Sequence, residues 1–279
     1  MNTIALFGAA GKIGARIAEK LRDDPEVNTL YVEKGEAGLA RLRERGLSPT
    51  TQVEAIRLAD TIVLAIPDTL IGTVAHAIVP KLKPGTMVML LDPAAAHGGE
   101  LPEREDVAYF VVHPCHPPLI NDETTPEARE DFFGGVAKQA IVCALVQGAD
   151  ADYEKGERIA RKMFAPILRA HRISVAEMAI LEPAMAETVI LTCMSVIKEA
   201  IDEAVAHGVP EQVAYDFALG HLRVNLGILF HYIDAEISEG AKLALQRARR
   251  EIFQEDWKKV FEPENVKAQV EAIVTGRQT

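Results

Sequence analysis

Along the first 172 residues, short apolar runs alternate with segments of helical character. The runs at 3–7, 29–33, 61–66, 86–92, 108–113, 139–146 and 167–173 are mostly rich in Val, Ile and Leu, the pattern of strands covered on both faces. That rhythm of strand and helix predicts a parallel sheet wrapped by helices. Beyond about residue 174 the β-rich runs stop, and the pattern predicts helices near 183–208, 211–234, 239–256 and 264–275, with Pro183 suited to a first helical turn. The chain therefore divides on paper into an α/β domain at 1–172 and an all-helical domain at 173–279. His97-Gly98-Gly99 and residues 121–126 read as loops, and no repeat or low-complexity tract is visible.

The loop after the first strand sharpens this picture. Gly8-Ala9-Ala10-Gly11-Lys12-Ile13-Gly14 leads directly into a helical run. Glycines there permit a tight turn and let a pyrophosphate approach the free N–H groups of a helix N-terminus. Glu33 stands at the end of the second strand, 19 residues past Gly14, where a carboxylate can accept hydrogen bonds from a ribose diol and repel a 2′-phosphate. The combination predicts a Rossmann-type, doubly wound domain that binds NAD through Gly8, Ala10, Gly11, Lys12, Ile13, Gly14 and Glu33. Pro67, Asp68 and the Asp92-Pro93 pair follow further strands and are expected beside the nicotinamide half.

Composition narrows the remaining options. With 30 basic and 41 acidic residues the net charge is −11, and no basic run is long enough to follow a nucleic-acid backbone. No uninterrupted apolar stretch reaches the roughly 20 residues of a membrane span. Three cysteines, at 115, 143 and 193, lack metal-finger spacing and suit a reducing compartment. A cytoplasmic protein without nucleic-acid or membrane partners is expected.

Candidate chemistry gathers at three places. Val111-Val112-His113-Pro114-Cys115-His116-Pro117-Pro118 closes a strand and fixes two imidazoles in a proline-stiffened loop, so His113 and His116 are candidates for proton transfer or ligation. Cys115 reads more simply as a small buried hydrophobe. The helix through Ala184–Ile197 is apolar almost all round and is expected to be buried; Glu187 within it then needs a cation, a metal or a raised pKa. Glu182 lies five residues earlier, about 140° around an ideal α-helix, and either serves the site or favours the helix N-terminus electrostatically. His221 and Asn225 are spaced to share one face of the next helix. In this scheme His113, His116, Glu187, His221 and Asn225 form the catalytic set. His116, Glu187 and His221 would hold a divalent ion if one is used. The helices at 184–197 and 217–230 carry more apolar surface than about 105 residues can hide, which predicts a homodimer.

The glycine loop, Pro67-Asp68-Thr69, the His-Pro-Cys-His-Pro-Pro string, Asn121-Asp122-Glu123, Leu181-Glu182-Pro183 and Gly220-His221 together resemble a family of NAD-binding oxidoreductases whose C-terminal region is named after phosphogluconate dehydrogenase. Within it the similarity is to oxidoisomerases of branched sugar acids. That resemblance implies oxidation of a 2-hydroxyl by NAD, followed by an acyloin-type carbon shift similar to ketol-acid reductoisomerase in reverse, where a divalent cation polarises two neighbouring oxygens. Reductoisomerases place acidic ligands one helical turn apart, whereas Glu182 and Glu187 are five apart. Related dehydrogenases use Lys-x-x-x-Asn, which the helical region lacks; His221-x-x-x-Asn225 has its spacing. A plain or decarboxylating hydroxyacid dehydrogenase, a non-catalytic dinucleotide sensor and a semialdehyde dehydrogenase with Cys115 as nucleophile are the competing readings.

Overall fold

The computed structural model describes residues 1–277. Seven strands, β1 (Asn2–Phe7), β2 (Val27–Val32), β3 (Thr61–Leu64), β4 (Met87–Leu90), β5 (Ala108–Pro114), β6 (Gln139–Gln147) and β7 (Ile167–Arg172), form one sheet in the order β2-β1-β3-β4-β5-β6-β7. Between them lie α1 (Lys12–Leu21), α2 (Glu36–Glu44), α3 (Gln52–Leu58), α4 (Asp68–Ile78), the short α5 (Ala94–His97) and α6 (Pro126–Arg129), and α7 (Asp150–Met163). One face buries Ile4, Leu6, Val63, Met89 and Phe110, and the other buries Ala5, Ile62, Leu64, Val88 and Val111. Strands covered on both faces have no polar side to show, which is why their runs are continuous rather than alternating.

The sheet is Rossmann-type and mostly parallel, with one departure. β6 pairs antiparallel with β5. The connection between them contains only the four-residue α6 and no full crossover helix, so the chain returns alongside in the reverse direction. β5 itself runs parallel to β4, and its carboxyl end lies with those of β1, β3 and β4. From β1 the chain goes to β2 on one side and then to β3 on the other. This places a topological switch point, and its ligand crevice, at the Gly8 loop.

The chain separates into two compact units. One comprises Met1–Pro183 together with the C-terminal segment from Lys267, and the other is Ala184–Val266. The change of unit thus falls 11 residues beyond the expected boundary at 172, because α8 (Val175–Ala179) packs against β6 and α5. The C-terminal half of α12 (Pro263–Thr275) belongs to the sheet unit as well; Val270 and Val274 lie against Gly98.

Ser174 starts α8 with a reciprocal cap: its hydroxyl accepts the Glu177 N–H, and the Glu177 carboxylate accepts the Ser174 N–H. The helix therefore begins eight residues before the expected 183. It continues as a π-helix over Ile180–Leu191, with Pro183 inside, and then as α9 (Thr192–Ala206), followed by α10 (Glu211–Leu229) and α11 (Glu239–Ile252). The expected burial of 184–197 is not observed. Within that stretch only Ala184 is buried; Leu191 is 64% exposed, and Phe217 on α10 is 66% exposed.

Candidate active site

The glycine loop has the geometry that its sequence requires. Gly8 has φ of 76°, and a Cβ there would collide with the Ala65 carbonyl at the end of β3. A Cβ on Gly14 would strike the Gly8 carbonyl. Both positions are closed to any side chain, and the loop is drawn tight under the N-terminus of α1. Neither Gly11 nor its neighbours cap α1 with a side chain, so its first N–H groups stay available to an anion. Glu33 accepts a hydrogen bond from the Ala10 N–H and lies near Arg41, while partial burial holds its carboxyl above the usual range.

Beside this loop a crevice of about 340 Å³ is lined by Gly11, Lys12, Ile13, Ile66, Pro67, Asp68, Asp92 and His113 among others. Pro67, Asp68, Asp92 and His113 come from the carboxyl ends of β3, β4 and β5. Burial, reinforced by the negative charge of Asp92, pushes the Asp68 carboxyl up to about 6. Burial also raises Asp92, whose Oδ1 accepts the Ala94 N–H at 2.7 Å. Pro93 stands between them, at the start of α5.

His113 is the centre of a three-residue cluster. Its Nδ1 lies 2.8 Å from the Leu91 carbonyl oxygen, which can only accept, so Nδ1 carries its proton. Its Nε2 lies 3.2 Å from Oε2 of Glu182. A neutral imidazole would then turn an acceptor towards an acceptor, and the contact is favourable only with a proton or a cation shared between them. Ligating atoms of Asp92, His113 and Glu182 all fall within 4.8 Å of one another. Among the described residues this is the one such group of three. Two carboxylates with one imidazole, whose far nitrogen is fixed by a backbone carbonyl, form a donor set suited to a divalent ion.

His116, expected within the metal set, lies outside that cluster. Its ring centroid is 6.4 Å from that of His113, and its Nδ1 is 3.2 Å from the Phe133 carbonyl oxygen. It adopts φ of 61°, a conformation rare for a residue with a side chain. Cys115 has its thiol raised by desolvation and by the charge of Glu182, the opposite of what activates a nucleophilic cysteine. Glu187, His221 and Asn225 belong to the helical unit. Glu187 is exposed there rather than enclosed. His221 is exposed too, stacked on Phe217 at 4.0 Å with Nδ1 2.8 Å from that residue's carbonyl oxygen. Asn225 lies one turn further along α10.

The π-helix changes one expectation directly. Its hydrogen bonds run from i to i+5, so residues five apart stack along one face, and Glu182 and Glu187 stand one π-turn apart. The α-helical projection had set them about 140° apart. Sequence reasoning also left Glu182 undecided and gave Asp92 only a cofactor role. The one available signal was Pro183: inside a helix it removes an N–H and crowds the preceding turn, and so marks an irregular segment.

Comparison with known proteins finds relatives over nearly the whole chain. Residues 121–274 match the family described as phosphogluconate dehydrogenase (decarboxylating) C-terminal, and residues 1–128 match the acetohydroxy acid isomeroreductase NADPH-binding domain. The chain is 46% identical to the D-apionate oxidoisomerase of Rhizobium rhizogenes, over 98% of this chain and 100% of the relative. It is 45% identical to that of Cupriavidus necator, over 97% and 98%. A crystal structure of a semialdehyde dehydrogenase NAD-binding protein from Cupriavidus necator, in complex with calcium and NAD, superimposes with a TM-score of 0.95 at 44% identity, covering 98% of this chain and 99% of that one.

Proposed function

The chain belongs to the D-apionate oxidoisomerase family and is an NAD-dependent oxidoreductase, and from that premise we propose that it oxidises the 2-hydroxyl of a branched sugar acid of the D-apionate type and then rearranges the product by an acyloin-type carbon shift. The observation that carries this reading is the convergence of Asp92, His113 and Glu182 beside the glycine loop. The N–H groups at the start of α1, in the Gly8–Gly14 loop, hold the pyrophosphate, Glu33 takes the ribose diol, and Pro67, Asp68 and Pro93 border the nicotinamide half. NAD, when bound, accepts the hydride. His113 takes the hydroxyl proton at Nε2, since Nδ1 is engaged with Leu91. His116 lines the same strand-end loop and binds the substrate's polar groups.

Asp92 and Glu182 would hold a divalent cation, which would polarise neighbouring oxygens of the oxo acid during the carbon shift, leaving His113 Nε2 free to act as the base. This set takes the place of His116, Glu187 and His221. We assign the helical unit, which carries Glu187, His221 and Asn225, to substrate binding and dimerisation. The apolar faces of α9 and α10 support a homodimer. The segment Val175–Ala206 has the length and hydropathy to cross a membrane; we read it as an interface helix because Glu182 and Glu187 interrupt it, and place the protein in the cytoplasm.

The test is NADH formation across a panel of sugar acids with the product identified. A rearranged oxo acid supports the reading; simple oxidation of the same acids would reduce it to a hydroxyacid dehydrogenase, and no NADH from any of them would refute the substrate class. Calorimetric titration with manganese, in the parent and in Asp92→Asn, tests the cation site apart from turnover. Equal binding in the two would overturn the assignment of its ligands.

A further inference from the structure

Gly38 stands in the first half of α2, buried, with an ordinary helical backbone. No unusual φ demands glycine there. Space does: a Cβ built on Gly38 would lie 2.7 Å from Oε2, 2.8 Å from Cγ and 2.9 Å from Cδ of Glu33. All are shorter than the 3.0 Å that real Cβ contacts respect, and all three atoms belong to one side chain. The far end of a glutamate moves cheaply. An added methyl group would therefore displace the Glu33 carboxylate and leave the rest of α2 in place.

We propose that Gly38 is a positioning residue for cofactor selection, its missing side chain letting the Glu33 carboxylate lie against α2 and beside the Ala10 N–H, where it receives the ribose diol. Arg41 sits three residues further along the same helix, and its charge acts on Glu33. With Glu33 swung aside, Arg41 loses that partner and becomes available to a 2′-phosphate, so the effect on NADP is opposite in sign to the effect on NAD. The proposal rests on reading the glycine loop as a dinucleotide site.

Binding of NAD and NADP is measured by calorimetry on the full chain, without turnover, for the parent, Gly38→Ala, Glu33→Ala and the double variant. Gly38→Ala should weaken NAD about tenfold, the lower scale for a hydrogen bond to a charged group, and narrow or invert the preference over NADP. Alanine is the better helix former, so Tm should hold or rise, and in turnover assays KM for NAD should rise while kcat at saturation is retained. In the Glu33→Ala background Gly38→Ala should add nothing, since its route runs through Glu33. Unchanged NAD affinity in Gly38→Ala, an equal loss in the Glu33→Ala background, or a fall in Tm with equal loss of both dinucleotides would each overturn the proposal. A parent that binds neither dinucleotide would instead overturn the cofactor reading beneath it.

Discussion

The sheet unit and the helical unit treat similar side chains in opposite ways. In the first, Ile4, Leu6, Ile62, Met87 and Phe110 have no exposed surface, and its strand ends bring Asp68, Asp92 and His113 to one crevice, with Glu182 of the π-helix beside Asp92 and His113. In the second, α11 has no buried residue at all, Leu243 on it is 67% exposed, and Glu187 and His221 face outward. The sheet unit thus finishes its core and its chemical cluster within one chain. The helical unit leaves comparable apolar side chains exposed, and the homodimer proposed above would cover them.

If the chemistry resides in the sheet unit, its cluster should carry the largest effects. His113→Ala is expected to lower turnover at least about a hundredfold, the lower scale for lost acid–base assistance, while NAD binding survives. Glu182→Gln should do the same and should also weaken binding of a divalent ion. Steady-state kinetics with NAD titrations would check both. Near-parental turnover in His113→Ala, with a large loss in His221→Ala, would reverse the comparison and move the acid–base work to the helical unit.

The helical unit is tested by its state of association. Light scattering of the parent should give about twice the 30.4 kDa chain mass. Leu191→Asp places a charge on one of the most exposed apolar positions and should weaken association by about thirtyfold, the effect of losing a central contact of roughly 2 kcal/mol. A parent that is monomeric at micromolar concentration would leave the apolar faces without their expected partner.

The two units also differed in how far the sequence could be read. All seven strands fall within about two residues of their predicted runs; the inner strands do so because a doubly covered strand has a signature that needs only its own residues, whereas the edge strands β2 and β7 are only partly covered. The Gly8–Gly14 loop was equally plain, since its glycine spacing directly before a helical run is itself the signal. The Asp92, His113 and Glu182 cluster was not, since it depends on the pairing of Leu90 with Val111 and on a helix 69 residues beyond His113. Its third member was obscured by helix type. A projection at 100° per residue separates Glu182 from Glu187, and only the π-helix brings them onto one face. Gly38 gave no signal of its own, because its importance lies in the Glu33 carboxylate that lies back against it. The burial assigned to Ala184–Ile197 failed for a different reason: an apolar pattern states that a helix must be covered and is silent about which chain supplies the cover.

A smaller effect separates the backbone role of the glycine loop from its cofactor role. Gly8→Ala combines a left-handed backbone angle with a clash against the Ala65 carbonyl, and backbone cannot move aside as a side chain can. The strain should cost about 1–3 kcal/mol. A fall in Tm of about 5 °C is expected by calorimetry without any dinucleotide. An unchanged Tm would mean that the loop is looser than its contacts imply, and that the sheet unit is less complete than the comparison holds.

The smallest effect concerns the loop that leads from His116 to β6. The Asp131 carboxylate accepts the N–H groups of Phe133, Gly134, Val136 and Ala137 at 2.9–3.1 Å. Partial burial opposes its ionisation, but the four backbone hydrogen bonds outweigh this and hold its carboxyl below the usual range. A carboxyl lowered in the folded state gives stability that is fully present above its unfolded pKa, about 3.9. That stability is lost as pH falls through the lower folded value, because both states then bind the proton. Asp131→Asn keeps the size and removes the charge, so its Tm should lie about 2 °C below the parent's at neutral pH, a modest gap because the group is only partly buried. The gap should persist down to about pH 4 and close below it. Thermal melts of both proteins between neutral and acid pH decide the matter: a gap that widens in acid would mean that the carboxylate does not order this loop.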